Sequence, residues 1–390
     1  MIDPYQPEGL AALLDGEPAY RARQVRAWLA RGVDDPASMT DLPRSLRERL
    51  GGALMAPPRI LRMLEADGGL TRKLLLGTAD SEAVESVLML YPRGASRSGR
   101  ATVCVSTQAG CAMGCPFCAT GQVGFRRQLT VGEIVRQVTV IQRLLRDGMV
   151  TGPQQELGRR ASTLSTRRGS DVPDHVTNVV FMGMGEPLAN LEPTIAAIRW
   201  LHQVFELSAR AITVSTIGLV PGIRRLMGLR LPITLAISLH APDDALRDDL
   251  VPPNRHHGLA ALMGVCEEWV ATTGRRLTFE YVLIDGVNAS LAQAEALARL
   301  VAPLRQAGGA HLNLIPMNPT PAVGWHAPPM ATQRAFASVL ERHGVAVTIR
   351  HNRGVEIDAA CGQLYANHAL GSGRTLPNAT GAADRIAGRG

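Results

Sequence analysis

The stretch ATVCVSTQAGCAMGCPFC, residues 101–118, joins a β-rich run directly to three closely spaced cysteines. Cys111, Cys115 and Cys118 follow a C-x3-C-x2-C spacing. The run "ATVCVST" is rich in valine and threonine, the composition of a strand. A strand that ends in a ligand-rich loop is the arrangement of β/α proteins, which place their chemistry at the C-terminal ends of strands.

Downstream the alternation continues. A helix is predicted over about 130–147, opened by a capping box of Thr130 and Glu133. Strand "VTNVVFMG", a helix over 192–205, strand "AITVSTIG", a short helix and strand "ITLAISLH" follow. Helix 258–273, strand "LTFEYVLI", helix 290–306, strand "HLNLIP", helix 331–343 and strand "VAVTIR" complete the run. Such alternation predicts an α/β fold with a parallel sheet and right-handed crossovers. About six β/α units fit an open, partial (β/α)6 barrel, whereas eight would close one.

Before this region, residues 1–75 read as a small helical accessory domain rich in arginine. "RARQVRAWLARGV" spaces Val25, Trp28 and Leu29 on one helical face, and Asp41 is a candidate cap before Pro43. The accessory domain has two readings, an RNA-binding module or a plain helical cap on the main domain. Residues 76–100 are expected to be a linker and β extension, 101–365 the barrel, and 366–390 a flexible tail. The segment 151–175 interrupts the rhythm with four arginines among serine and glycine, a phosphate contact by composition.

Composition narrows the function classes. The 390 residues are 46% hydrophobic and 19% charged, which describes a globular protein. A formal net charge of +7 favours an anionic partner, nucleic acid first, unless it only reflects frequent arginine codons. No run of about 18 apolar residues is present, so no membrane partner is expected. The first twenty residues contain acids and no apolar signal core, so a cytoplasmic location is expected. Six cysteines in such a chain point to reduced thiols serving metal binding or catalysis, not disulfide staples.

Three cysteines bind zinc when a histidine completes a tetrahedron, and the nearest one downstream is His175. Three thiolates also hold a 4Fe–4S cluster, with one iron left without a protein ligand. That iron can chelate a molecule through an amine and a carboxylate, the two groups on the methionine end of S-adenosylmethionine (SAM). Phe117 stands before the last cysteine, where it would shield such a cluster. The cysteine loop thus resembles that of the radical SAM superfamily. The next strand ends in "GMGEP": Gly185 permits close backbone approach and Glu186 would accept a hydrogen bond from the SAM amino group. Polar residues at further strand ends, Ser215, then Ser238, Leu239 and His240, then Asn318, would complete a ligand ring.

Taken with "VVFMGMGEPLANL", "AISLHAPDDALRDDLVP", "LIPMNP" and "IDAACGQL", the sequence resembles, over about residues 20–365, the radical SAM adenine methyltransferases of large-subunit ribosomal RNA. Their chemistry has a physical reason. Carbon 2 of adenine lies between two ring nitrogens and is electron-poor, so an electrophilic methyl does not react with it and a radical route is required. The resemblance implies two SAM molecules per turnover. Cys361 takes a methyl from the first. The second is cleaved at the reduced cluster, and the radical formed abstracts hydrogen from that methyl. The carbon radical adds to the adenine, Glu85 is the acidic proton acceptor, and Cys104 resolves the protein–RNA adduct through a transient disulfide with Cys361. The implied partners are 23S rRNA, with transfer RNA as an additional substrate, and an electron donor such as flavodoxin. Cys266 reads as a small buried hydrophobe, and Glu85 read by itself would be a solvated carboxylate at a strand edge.

Some segments depart from the family pattern. The 151–175 loop is long, "PTPAVGWHAPP" after Asn318 differs, and Val355 and Glu356 replace a more polar pair. Nothing in the spacing separates methylation of carbon 2 from carbon 8. Two other classes stay open on the residues alone: a non-catalytic iron–sulfur RNA-binding factor, and a radical SAM enzyme acting on a small molecule.

Overall fold

The structure, a computed structural model, describes residues 2–54, 57–94, 98–149, 172–306, 309–320, 322–350 and 365. Cys361, the tail after 365 and most of the arginine-rich 151–175 segment lie outside the described residues.

The chain opens with helices α1 (Pro7–Leu13), α2 (Tyr20–Ala30) and α3 (Arg44–Ala53), then strands β1 (Arg59–Ala66), β2 (Thr71–Gly77), β3 (Ala83–Tyr91) and β4 (Arg100–Cys104). The cysteine loop is framed by β5 (Gln108–Gly110), α4 (Ala119–Val123) and β6 (Phe125–Gln128). There follow α5 (Val131–Arg146), β7 (Asn178–Phe181), α6 (Leu191–Gln203), β8 (Ile212–Thr216), α7 (Val220–Met227), β9 (Thr234–Ser238) and α8 (Asp244–Leu250). Last come α9 (Leu259–Thr273), β10 (Leu277–Leu283), α10 (Leu291–Gln306), β11 (Ala310–Pro316), α11 (Met330–Arg342) and β12 (Val347–Ile349). Read along the chain from β4, six strand–helix units precede the last described strand, the succession that a partial (β/α)6 barrel requires.

The chain divides into two compact units. The first comprises Met1–Ser106, Gln128–Gly183 and Glu192–Ile212. Within it β1, β2, β3 and β4 pair antiparallel in that order, and β7 joins β4 in parallel. Helix α5 carries the capping box expected of it: Thr130 Oγ1 accepts from the Glu133 N–H at 3.2 Å, and Glu133 Oε2 accepts from the Thr130 N–H at 2.9 Å. Val131, Ile134, Val135, Val138, Ile141 and Leu145 recur at helical spacing and are buried. The N-terminal segment is fastened to this helix. Asp3 Oδ2 accepts from the Gly132 N–H at 2.7 Å, and Asp34 accepts from the Tyr5 hydroxyl at 3.1 Å and pairs with Arg136 at 3.3 Å.

Two expectations fail here. The helical reading of residues 1–75 holds through Ala53, but β1 and β2 follow. Pro57 and Pro58 cannot continue a helix, and the run Thr71–Gly77 is buried at every position, as an interior strand should be. Asp41 does not cap α3, because Pro43 occupies the N-cap position. Its carboxylate instead accepts from Trp28 Nε1 at 2.6 Å and Gln24 Nε2 at 3.1 Å.

The second unit comprises Thr107–Arg127, Met184–Leu191 and Thr213–Gly390. Its strands run β8–β9–β10–β11–β12, each pair parallel. The interior of β9 and all but one position of β10 are buried, as in strands covered on both faces. Among the described residues no helix is long and apolar enough to cross a membrane.

Candidate active site

In the second unit the cysteine loop is held by its neighbours in the chain and by the "GMGEP" segment. The Thr107 and Gln108 N–H groups both donate to Met184 O, at 2.8 and 3.3 Å. Gln108 Oε1 accepts from the Glu186 N–H at 2.9 Å, and Asn190 Nδ2 donates to Thr107 O at 2.8 Å. Gly185 has φ +92°, and a Cβ there would meet the Gln108 side chain at 2.5 Å, so both conformation and space demand glycine. Past the cysteines, Gln122 Nε2 donates to Pro116 O at 2.7 Å and to Thr320 Oγ1 at 2.8 Å. This ties the cysteine loop to the segment that carries Asn318, whose side chain is half-buried.

Cys115 packs among Ala241, Val282, Ile284 and Met317, with Phe117 alongside. These residues stand at or just past the ends of β9, β10 and β11, so the cysteine loop lies at the C-terminal ends of the parallel strands. The three thiols act on one another electrostatically. Burial, followed by the Cys118 charge, pushes the Cys111 thiol up to about 12. Burial, then Cys118 and Cys111, pushes Cys115 well above its ordinary value, against the pull of Arg247. A cationic centre would relieve all of these penalties at once. Among the described residues no group of three or more His, Cys, Asp or Glu side chains closes on a single metal ion. His175 is exposed and faces Asp174 at 3.0 Å. Three thiols on one short loop are the donor set that would hold a 4Fe–4S cluster with one iron left open.

Glu186 is buried, and both carboxylate oxygens accept backbone N–H groups: Leu188 on Oε1 at 3.0 Å and Ile217 on Oε2 at 2.9 Å. Burial nevertheless pushes its carboxyl up to about 7. Such a group gains most from a cation brought to it. His240, in left-handed backbone at φ +61°, is buried with its ring edge-on to Phe117, centroids 4.7 Å apart. Its Nδ1 accepts from the Val282 N–H at 3.1 Å. Burial, with the Arg247 charge, pushes the imidazole down to about 3, so it is neutral and its proton resides on Nε2. Ser215 and Ser238 are half-buried near the ends of β8 and β9, and Leu239 is fully buried.

Sequence reasoning missed the residue that joins these strand ends. Arg247, on α8, is 1% exposed. Its guanidinium donates to Ile217 O at 2.6 Å, Leu239 O and Ser238 O at 3.0 Å each, and to Asn254 Oδ1. The signal was an arginine amid four aspartates in "DDALRDD", whose acids suggest a solvated helix.

In the first unit the structure places Glu85 and Cys104 close together. Glu85 is 2% exposed on β3, which is flanked by strands on both sides, so it is no solvated edge carboxylate. Lys73 Nζ lies 3.1 Å from Glu85 Oε2. Burial pushes the Cys104 thiol up to about 12, and the Glu85 charge adds to the rise while Lys73 opposes it. Cys266, as expected, is a buried thiol on α9.

The N-terminal helices match the family model of the ribosomal RNA large subunit methyltransferase N-terminal domain, over residues 9–55. The chain is 50% identical over 364 residues to a probable dual-specificity RNA methyltransferase RlmN of Frankia alni, covering 91% of this chain and 80% of that protein. It is 45% identical over 376 residues to the protein so named from Thermobifida fusca, covering 94% of each. Among solved structures, a radical SAM methyltransferase from Sphaerobacter thermophilus superposes with a TM-score of 0.79 at 45% identity, covering 91% of this chain and 95% of that one. The fold is therefore the α/β fold of radical SAM methyltransferases, and the chain belongs to the RlmN family of SAM-dependent RNA methyltransferases.

Proposed function

We propose that this enzyme methylates carbon 2 of an adenine in 23S rRNA, and an adenine of transfer RNA as well, through a methyl-bearing cysteine. The observation that carries this reading is the grouping of Cys111, Cys115 and Cys118 at the strand ends, Cys115 buried and the other two half-buried, with each thiol's charge felt by its neighbours, in one unit with the buried carboxyl of Glu186. The relatives' naming as dual-specificity RNA methyltransferases supports two RNA substrates.

In this reading Cys111, Cys115 and Cys118 hold a 4Fe–4S cluster. Gly185, Glu186, Ser215, Ser238, Leu239, His240 and Asn318 surround SAM. When bound, cluster and SAM supply one electron and a hydrogen-abstracting radical, with the electron drawn from a donor such as flavodoxin. The chain's own residues do the rest. Glu186, pushed up to about 7 when empty, becomes a full carboxylate against the ammonium of the ligand. His240 offers Nε2–H as a neutral donor. Cys361 carries the methyl, Glu85 takes the proton from the ring carbon, and Cys104 releases the product. The target base leaves its RNA stack, at a cost of a few kcal/mol, and the positive surplus of the chain binds the surrounding phosphates. The cytoplasm, where reduced thiols persist, suits each of these groups.

The test is mass spectrometry of nucleosides from 23S rRNA and transfer RNA treated with anaerobic enzyme, SAM and a reductant. The expected product is 2-methyladenosine in both RNAs. Methylation at carbon 8, or none while the cluster is intact, overturns the proposal.

A further inference from the structure

Strands β2, β3 and β4 are antiparallel neighbours, and residues opposite one another across such strands share a face. Lys73 stands opposite Val87, and Val87 stands opposite Cys104. Glu85 lies two residues from Val87 along β3, and side chains two apart share a face. One face of the sheet therefore carries an ammonium, a carboxylate and a thiol. Lys73 and Glu85 are 0% and 2% exposed and 3.1 Å apart. The residues after Lys73, Leu74 to Leu76, are buried as well.

Stability alone is a poor reason for this arrangement. Lysine is among the residues least often fully buried. An ion pair moved out of water commonly contributes no more than an apolar pair of the same volume. The same strand already supplies three leucines, so a fourth apolar residue would serve the sheet equally well. A buried cation that faces a carboxylate beside a thiol makes sense if the carboxylate must be held in one orientation.

We propose that Lys73 is a positioning residue for proton removal from the adenine, its ammonium holding the Glu85 carboxylate in place beside Cys104. The inference rests on the reading of Glu85 as proton acceptor. In that step the proton leaves the ring carbon, its bonding pair stays in the ring, and Glu85 becomes a carboxylic acid whose remaining oxygen keeps the Lys73 contact. The lysine touches no substrate and acts only through Glu85.

The experiment uses full-length, cluster-loaded enzyme with 23S rRNA, SAM and a reductant. It reads methyladenosine by mass spectrometry, protein–RNA adduct on denaturing gels and methyl on Cys361 by peptide mass. Lys73→Met is expected to lower product by about 100-fold, the scale of a general base. Methyl on Cys361 stays at the wild-type level and the adduct persists. Lys73→Arg, which keeps the charge, recovers a large part of the product. In a Glu85→Gln background, Lys73→Met costs nothing further, because the group it serves is gone. Wild-type product from Lys73→Met, or losses that multiply in the double variant, overturns the inference. Should Lys73→Met lose its fold, Lys73→Gln, which keeps a polar chain without the charge, decides: a longer adduct lifetime at an unchanged melting temperature supports the role, and an unchanged lifetime overturns it. If wild-type enzyme forms neither adduct nor methyladenosine, the function itself is wrong. If Glu85→Gln is impaired and Lys73→Met is not, only this inference fails.

Discussion

Gln137 grips Ser106 by both of its backbone groups: Oε1 accepts the Ser106 N–H at 2.8 Å and Nε2 donates to Ser106 O at 2.9 Å. Ser106 in turn donates its hydroxyl to Glu85 O at 2.6 Å. All three residues are buried. Helix α5 thus fixes the end of β4, two residues past Cys104, and through it the backbone of Glu85. Replacing Gln137 with leucine removes both of these buried hydrogen bonds. Each such loss costs about 1–3 kcal/mol. Urea unfolding of Gln137→Leu is expected to show a destabilisation of about 2–5 kcal/mol; a change below about 0.5 kcal/mol, the scale of a surface substitution, would mean that the clamp does not form in solution.

Glu186 yields a pH dependence whose sign follows from its burial. Its carboxyl is pushed up to about 7 in the absence of ligand, from an ordinary 4.5. Below that value the free enzyme holds a proton that must leave before a carboxylate can meet the ligand ammonium. SAM binding should therefore weaken as pH falls below about 7, approaching tenfold per unit, since one proton is released per ligand bound. Equilibrium dialysis of anaerobic enzyme between pH 5.5 and 8 measures this. Glu186→Gln, which cannot ionise, should bind weakly at every pH and show no such slope. An equal slope in both proteins would assign the titration to another group.

The Cys104 thiol should be slow to react in the folded protein. Burial, with the nearby Glu85 charge, pushes it up to about 12, so only about one molecule in ten thousand is a thiolate at pH 8. Peptide mass spectrometry after iodoacetamide treatment should find it labelled more than a hundredfold more slowly than in urea, with a rate that climbs tenfold per pH unit. Lys73 opposes the rise, so Lys73→Met should slow labelling further. Rapid labelling at pH 8 would contradict the geometry of the Lys73, Glu85 and Cys104 face.

What the sequence disclosed and what it hid divides along physical lines. Periodicity is a local property, so the parallel strands, the helices between them and the capping box of α5 are legible in a single chain. The spacing of Cys111, Cys115 and Cys118, and the glycine before Glu186, are local as well. The ribbon of β5 and β6 is too short to show an alternation, and β1 and β2 were hidden behind the charged helices before them. Buried charge is the least legible feature. Lys73, Arg136 and Arg247 carry no local sign of burial, because charge normally means solvent, yet all three are interior. Glu85, taken without the family resemblance, would fall on an exposed edge for the same reason, since nothing local reveals that β3 has a neighbour on both sides.

Arg247 gives the last prediction. One guanidinium serves the carbonyls of Ile217, Ser238 and Leu239, just past the ends of β8 and β9, and Asn254 anchors it from below. Carbonyls at the ends of parallel strands have no further strand residue to bond, and these are buried at Leu239 and half-buried at Ile217 and Ser238. Arginine suits the task because its donors are fixed in one plane and remain charged even when burial pushes the group down to about 10. Lysine offers a single ammonium and cannot reach all three carbonyls. Arg247→Lys is therefore expected to cost about 2–4 kcal/mol in urea unfolding, and Arg247→Met about 3–5 kcal/mol, since a buried acceptor left bare loses its full solvation. The strand ends it joins also carry Ser238, Leu239 and the Ile217 N–H that Glu186 accepts, so SAM affinity should fall in Arg247→Lys even at temperatures where that variant remains folded. A variant that is destabilised yet binds SAM as tightly as wild type would show that the tie supports the fold alone.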